Sequence, residues 1–217
     1  MDATFVLVPG AGGAAWYWHL VVAELEKRGR QGIAVDLPAA DDTAGLAEYT
    51  DAVVEAIGDR RPIVLVAQSF GGFTAPLVCK RVPVELLILL NAMVPRSGET
   101  GEEWWKATRW KEEVGEVDDE EAFFHDVPED VKAAALAEEP AQSWTPFQEP
   151  WPLDSWPDVP TRFVQGRDDR FFPLAFQQRV VRERLGIEVE EVPGGHLAAL
   201  SRHVELVDAL LRIAPSR

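Results

Sequence analysis

Short apolar runs alternate with longer amphipathic segments along most of the chain. Four early runs are continuous and rich in Val, Ile and Leu, as is typical of strands that are buried on both faces of a parallel sheet. These runs are Thr4–Val8, Ile33–Leu37, Ile63–Ala67 and Leu86–Leu90. The pattern therefore predicts a largely parallel sheet.

The segments between the runs have apolar residues at helical spacing, which predicts helices that pack on the sheet. The predicted helices are Trp16–Arg28, Leu46–Ile57, Phe73–Arg81, Phe176–Leu185 and Val204–Ile213. Two further strands are predicted at Arg162–Gln165 and Val189–Val192. This alternation predicts an α/β fold, with a mostly parallel sheet covered by helices on both faces.

One segment breaks the alternation. Residues 95–157 are acidic, rich in Trp and Pro, and have no strand signal. We therefore predict a core of residues 1–94 and 158–217 with a small inserted cap of residues 95–157. Aromatic residues such as Trp104 and Trp105 would then form part of an apolar pocket beneath the cap.

Composition narrows the possible partners. The chain has 217 residues, a formal net charge of −16 and a single cysteine, Cys79. The negative charge argues against nucleic acid or an anionic membrane as a partner and leaves a small-molecule substrate. A lone cysteine fits a reducing compartment, and the N-terminal residues do not resemble a signal peptide, so we expect a cytoplasmic protein.

A serine stands at the junction of a predicted strand and helix. The stretch AQSFG, residues 67–71, matches the small-x-Ser-x-Gly pattern of a strained strand-to-helix turn that exposes a nucleophilic Ser69. Small residues are needed at Ala67 and Gly71 because larger side chains would collide with the turn. A serine that caps an ordinary helix is the alternative, and the motif alone does not separate the two.

A serine nucleophile needs a base, and the base needs an acid. Of the four histidines, only His196 follows a late predicted strand, in EVEEVPGGHLAAL; we expect the others, His19, His125 and His203, to be structural or exposed. Asp168 and Asp169 follow the preceding strand, and the spacing leaves both open as the acid. The chain order is thus Ser, Asp, His.

The N-terminal glycines allow another function. GAGGAA, residues 10–15, followed by Asp36 at the end of the next strand, fits a dinucleotide-binding fingerprint. Three aromatic residues, Trp16, Tyr17 and Trp18, crowd the start of the helix where a pyrophosphate would bind. We therefore expect no cofactor, and FFHD, residues 123–126, does not make a metal site.

The quoted motifs resemble the α/β-hydrolase superfamily, and within it the small branch of plant methylesterases and hydroxynitrile lyases. The resemblance covers nearly the whole chain and includes FVLVPGAGGAAWYW, GRDDRFFP and PGGHLAALSRHVELVDALL. It implies Ser69, Asp169 and His196 as the catalytic residues, with Asp169 selected over Asp168. It also implies the backbone N–H groups of Ala11 and Phe70 as the oxyanion hole.

This chain departs from the branch at several positions. Pro9 replaces a histidine that usually precedes the first glycine, and the lyases carry Thr in place of Gly10 and Lys in place of Leu197. Without that lysine, a cyanide leaving group has no obvious stabilising charge. We predict a serine hydrolase that cleaves a small apolar carboxylic ester, with Gly10, Gly12, Trp16 and Leu197 in the substrate pocket. A lyase or carbon–carbon hydrolase with the same triad, or a non-catalytic binder, remains the alternative.

Overall fold

The centre of the molecule is a parallel sheet. The computed structural model describes residues 2–138 and 141–215. Its strands are arranged in the order β2-β1-β3-β4-β5-β6, and each neighbouring pair is parallel. The strands are β1 (Thr4–Val8), β2 (Gly32–Ala34), β3 (Ile63–Gln68), β4 (Leu86–Leu90), β5 (Thr161–Gly166) and β6 (Val189–Val192). The predicted α/β fold is confirmed.

Helices cover both faces of this sheet. A short 3-10 helix, Ala15–Trp18, leads into α1, and the α-helices are α1 (His19–Lys27), α2 (Leu46–Ile57), α3 (Gly71–Cys79), α4 (Gly101–Ala107), α5 (Trp110–Val114), α6 (Asp119–Phe124), α7 (Glu129–Ala137), α8 (Thr145–Gln148), α9 (Leu174–Leu185), α10 (Ala198–Ser201) and α11 (His203–Ile213). One apolar core joins the sheet to α1 and α11, and the other joins it to α2, α3 and α9. Because successive strand side chains point to opposite faces, Val6 belongs to one core and Leu7 to the other.

The second strand is shorter than the apolar run predicts. The run Ile33–Leu37 was expected to be a strand, but β2 ends at Ala34. Beyond that point the chain turns toward the glycine loop, and Leu37 N–H donates to the Gly13 carbonyl at 2.8 Å. The competing hydrogen bond explains the early end of the strand.

Helices α4 to α8 lie between β4 and β5, in the segment that the sequence assigns to an insertion. We use the name cap for residues 95–157. A buried ion pair attaches the start of the cap to the core: Arg184 Nη2 of α9 lies 2.9 Å from Glu99 Oε1, and the two side chains are 3% and 8% exposed. Arg184 Nη1 also donates to the Val94 carbonyl at 2.6 Å. Arg184 thus joins the cap to α9.

We expect Glu99→Ala to lower the free energy of unfolding by about 3–5 kcal/mol, because the buried Arg184 guanidinium loses its counter-charge. Urea denaturation measures the change. Glu188→Ala is the matched control, since Glu188 pairs with Arg182 on the surface at 3.5 Å and exposed pairs contribute about 0–1 kcal/mol. Equal small losses in both variants would show that the Glu99 pair does not hold the cap.

Among the residues that the structure describes, no helix has the length and apolar character needed to cross a bilayer.

Candidate active site

Ser69 lies in a sharp turn between β3 and α3. Its φ of 49° is in the left-handed region, where a residue with a side chain is strained. Two hydrogen bonds hold the turn: Ser69 N–H donates to the Leu90 carbonyl at 3.2 Å, and Met93 N–H donates to the Ser69 carbonyl at 2.9 Å. A Cβ atom at Gly71 would lie 2.8 Å from the Pro9 carbonyl oxygen. The local geometry is therefore that of a nucleophile elbow, and it needs the glycine.

The structure brings Ser69, His196 and Asp169 into one hydrogen-bonded chain. His196 Nε2 lies 3.1 Å from Ser69 Oγ, and His196 Nδ1 lies 2.8 Å from Asp169 Oδ2. Because a carboxylate accepts hydrogen bonds, Nδ1 carries the proton and Nε2 is left to accept from the serine hydroxyl. The three side chains thus have the arrangement in which histidine can act as a general base toward serine.

Asp169 is fixed by four hydrogen bonds. Its Oδ1 accepts from the N–H groups of Phe171 and Phe172, each at 2.8 Å, while its Oδ2 accepts from Gln165 Nε2 at 3.2 Å as well as from His196. The residue is 3% exposed. The carboxylate therefore keeps one orientation, with Oδ2 toward the imidazole.

Asp168 takes a different position. Its side chain is exposed, and its Oδ2 accepts from the Gly194 N–H at 3.3 Å rather than from the imidazole of His196. The carboxylate beside His196 is thus that of Asp169, the residue that the resemblance selected.

Ala11 and Phe70, the two residues that the resemblance assigns to the oxyanion hole, line the same cavity as Ser69. The N–H groups of Ala11 and Phe70 donate to no acceptor in the part of the chain that the structure describes. The neighbouring Gly12 N–H, by contrast, donates to Gln142 Oε1 of the cap at 2.8 Å. The glycine loop thus keeps Ala11 N–H available while the cap holds the next residue.

A cavity of about 650 Å³ opens above Ser69 between the core and the cap. Its walls are mainly apolar and aromatic, and they include the predicted pocket residues Gly10, Gly12, Trp16, Trp105 and Leu197. Sequence reasoning did not select several other lining residues, among them Tyr17, Met93, Trp144, Phe147 and Phe171. Burial raises the pKa of the Tyr17 hydroxyl well above its usual value, so that this group stays protonated.

The placement of Trp104 in the pocket was wrong. Its side chain is fully buried, and its Nε1–H donates to the Val94 carbonyl at 3.1 Å. Its ring packs at 5.4 Å from Phe172 and 6.0 Å from Phe176, measured between ring centroids. Adjacent residues on a helix point in different directions, so that Trp105 faces the cavity while Trp104 anchors α4 to the core.

Three phenylalanine rings surround the His196 imidazole. The ring centroids of Phe123, Phe171 and Phe172 lie 5.2, 5.1 and 5.1 Å from that of His196, with steep interplanar angles. His196 itself is 1% exposed. Exclusion of water strengthens the hydrogen bond between the imidazole and Asp169.

Asn91 supports the histidine loop from the end of β4. Its Nδ2 donates to the carbonyls of Gly195 and His196 at 3.1 and 3.0 Å, and its Oδ1 accepts from Gly166 N–H at 2.6 Å. Sequence reasoning did not select Asn91. A polar residue directly after a buried strand was the signal that could have identified Asn91.

The carboxylate required for dinucleotide binding has another role here. Asp36 Oδ1 accepts from the Ala15 N–H at 2.7 Å, which satisfies the first turn of the 3-10 helix. The glycine loop lines the cavity beside Ser69. The contacts therefore favour an oxyanion loop over a nucleotide site.

The remaining histidines lie away from the serine hydroxyl. His19 is exposed, and its Nδ1 contacts the Trp16 carbonyl at 2.7 Å, while His203 begins α11. His125 Nε2 lies 3.0 Å from the Asp168 carbonyl. The described residues contain no group of three side chains suited to hold a metal ion.

Comparison with known proteins identifies the family. Residues 5–209 match the model of the Alpha/beta hydrolase family, and the chain therefore belongs to that family. The chain is 24% identical to Norfluorocurarine synthase 1 from a Strychnos species over 97% of this chain and 94% of that protein. It is 34% identical to Methylesterase 7 from Arabidopsis thaliana over 42% of this chain and 40% of that protein.

Solved structures agree with the fold. The structure of polyneuridine aldehyde esterase superposes with a TM-score of 0.79 at 21% identity, over 98% of this chain and 99% of that one. The predicted resemblance to the plant methylesterase branch is confirmed. The family and these relatives support a carboxylic ester hydrolase.

Proposed function

We propose that this protein is a serine esterase that cleaves an apolar carboxylic ester through an acyl-enzyme on Ser69. His196 Nε2 takes the Ser69 proton while Oγ attacks the ester carbonyl, and then protonates the leaving alkoxide. Water, deprotonated by the same nitrogen, then attacks the acyl carbonyl, and the imidazolium returns that proton to Ser69 Oγ as the carboxylic acid leaves. Asp169 keeps the proton on Nδ1 and stabilises the imidazolium.

The observation that carries this proposal is the continuous hydrogen-bonded chain from Ser69 Oγ through His196 to Asp169, at 3.1 and 2.8 Å. The free N–H groups of Ala11 and Phe70 lie in the loop and turn beside Ser69, where a tetrahedral oxyanion would form. Each such donor contributes about 2.7–4 kcal/mol of transition-state stabilisation.

The cavity supports an apolar ester. Aromatic side chains from the core and the cap, such as Trp16, Trp105 and Phe123, contribute to its walls. A volume of about 650 Å³ is in the range that encloses a drug-sized ligand. Substrates with an apolar acyl or alcohol group would gain binding energy from desolvation there.

Two positions favour hydrolysis over cyanide elimination. A Cβ atom at Gly10 would lie 2.8 Å from Ser69 Cβ and 2.5 Å from Gln68 Oε1, so that the threonine carried by the lyases would not fit without a shift. Leu197 lines the cavity directly after His196 and offers no positive charge to a leaving cyanide.

Pre-steady-state hydrolysis of p-nitrophenyl acetate and p-nitrophenyl butyrate tests the proposal. We expect turnover of both esters, and a burst of p-nitrophenol no larger than one equivalent per protein whenever deacylation is the slower step. Release of cyanide from mandelonitrile is measured in parallel as the test of the lyase alternative. Cyanide release without ester turnover would contradict the esterase proposal and favour a lyase. If neither the esters nor mandelonitrile is cleaved, a non-catalytic binder is favoured.

A further inference from the structure

A carboxylate of the cap contacts the loop that carries His196. Asp126 follows α6, and its Oδ2 accepts the N–H of Gly195 at 2.8 Å. Gly195 directly precedes the catalytic histidine. The cap therefore holds a main-chain atom one residue away from the general base.

Neighbouring residues of the cap reach the same region. His125 Nε2–H donates to the Asp168 carbonyl at 3.0 Å, and the Phe123 ring packs 5.2 Å from the His196 ring, measured between centroids. A Cβ atom at Gly195 would lie 2.8 Å from both His125 Nε2 and Asp126 Oδ1. This close approach shows that the cap packs directly on the loop.

The carbonyls of the loop are held from the opposite side. Asn91 Nδ2 donates to the carbonyls of Gly195 and His196, and Gln68 Nε2 approaches the His196 carbonyl at 3.4 Å. Both of these side chains belong to the core. The Gly195 N–H, in contrast, donates to the cap residue Asp126, and within the described part of the chain it has no other acceptor.

Across residues 2–138 and 141–215, the Asp126 side chain makes one hydrogen bond, the one to Gly195 N–H. Its Oδ1 is buried and has no partner among the residues that the structure describes. Burial of a carboxylate oxygen without a hydrogen-bond partner costs free energy, and this cost would be avoided if the Asp126 side chain pointed into water. The hydrogen bond to Gly195 N–H is therefore the interaction that offsets this cost in the described part of the chain.

We propose that Asp126 is a positioning residue: its hydrogen bond to Gly195 N–H holds His196 at the distance from which Nε2 accepts the Ser69 proton. The catalytic geometry of this enzyme is thus completed by the cap, which acts on the base as well as on the substrate. The proposal rests on the proposed function, because positioning matters only if His196 is the base.

The test compares steady-state ester hydrolysis by Asp126→Ala, Asp126→Asn and wild type. We expect Asp126→Ala to lower kcat by about 10- to 100-fold, since displacement of a catalytic group by about 1 Å costs on that order. The KM should change by no more than roughly twofold, because binding of the ground state is not affected. Asp126→Asn retains an acceptor oxygen and should recover most of the lost kcat.

Asp154→Ala is the matched control, because Asp154 is an exposed aspartate of the cap outside the site. Asp126→Leu, which fills the same space without an acceptor, replaces the alanine variant if the latter does not fold. An unchanged kcat in the variants without an acceptor overturns the proposal, and so does a loss that appears in KM alone. Equal losses in Asp126→Ala and Asp126→Asn also overturn it, because the charge and not the hydrogen bond would then matter.

A second readout does not depend on turnover. The His196 Nδ1–H proton, held between the imidazole and Asp169, gives a far-downfield proton NMR signal when the pair is ordered. The signal should persist in wild type, Asp126→Asn and Asp154→Ala and weaken or vanish in Asp126→Ala. If the wild type cleaves no ester but the signal is lost in Asp126→Ala, the proposed function alone is contradicted. If the wild type cleaves the ester and the signal persists in Asp126→Ala, the positioning role alone is contradicted.

Discussion

Replacement of Ser69 by alanine is expected to lower kcat/KM for p-nitrophenyl butyrate by about 10⁴-fold or more. The variant keeps the cavity and the two free N–H groups but has no nucleophile at 3.1 Å from His196 Nε2. Steady-state hydrolysis, with the uncatalysed rate subtracted, measures the loss. The alanine keeps the backbone conformation of Ser69, with its φ of 49°, and loses only the hydroxyl, so thermal unfolding should show a folded protein.

Ser97→Ala is the control for this experiment, because Ser97 is an exposed serine at the start of the cap. It should hydrolyse the ester at the wild-type rate. If Ser69→Ala retained more than about one hundredth of the activity, another group would be the nucleophile and the reading of the elbow would be wrong.

The second large effect is expected for Asp169→Asn, with a loss in kcat of about 10⁴-fold. The N–H groups of Phe171 and Phe172 both need an acceptor, so the amide oxygen should face them as Asp169 Oδ1 does now. The amide NH₂ would then face His196 Nδ1 and donate to it. This arrangement places the imidazole proton on Nε2, which can no longer accept from serine.

Asp168→Asn separates the two neighbouring carboxylates. Asp168 is exposed and contacts the Gly194 N–H, and an asparagine at this position keeps an acceptor for that bond. We expect activity within about threefold of wild type. Comparable losses for Asp168→Asn and Asp169→Asn would contradict the assignment of the acid.

The sheet and the positions of the candidate catalytic residues at the ends of its strands could be predicted, because both depend on local sequence patterns. Continuous apolar runs identify buried strands, and the ends of parallel strands meet at one edge of the sheet. Ser69 and His196 follow strands β3 and β6 at this edge. The choice between Asp168 and Asp169 needed the resemblance, since the residues alone do not reveal which way each carboxylate turns after β5.

Contacts made across long stretches of chain could not be predicted in this way. Asn91 and Gly195 are joined although they lie 104 residues apart, and Asp126 and Gly195 although they lie 69 apart. The spacing of apolar residues along the chain carries no information about contacts between residues so far apart in sequence. The same limit explains Trp104, because a Trp-Trp sequence does not show which of the two rings a short helix turns toward the core.

The cap contributes several contacts to the active site that the sequence did not predict. Its aromatic residues close the cavity, its Gln142 holds the glycine loop through the Gly12 N–H, and its Asp126 holds the histidine loop. Among the acidic residues of the cap, Asp126 thus has a defined contact beside the active site. The cytoplasmic location remains a prediction from the sequence.

Titration with diisopropyl fluorophosphate tests the central claim most directly, because this reagent phosphorylates a serine only where a base activates its hydroxyl. Ester hydrolysis is followed as the reagent is added, and the modified peptide is located by mass spectrometry. We predict that activity falls in proportion to phosphorylation, reaches zero at one equivalent, and that the label lies on Ser69. A label on another residue, or a fully labelled Ser69 in a protein that still hydrolyses the ester, would contradict the account.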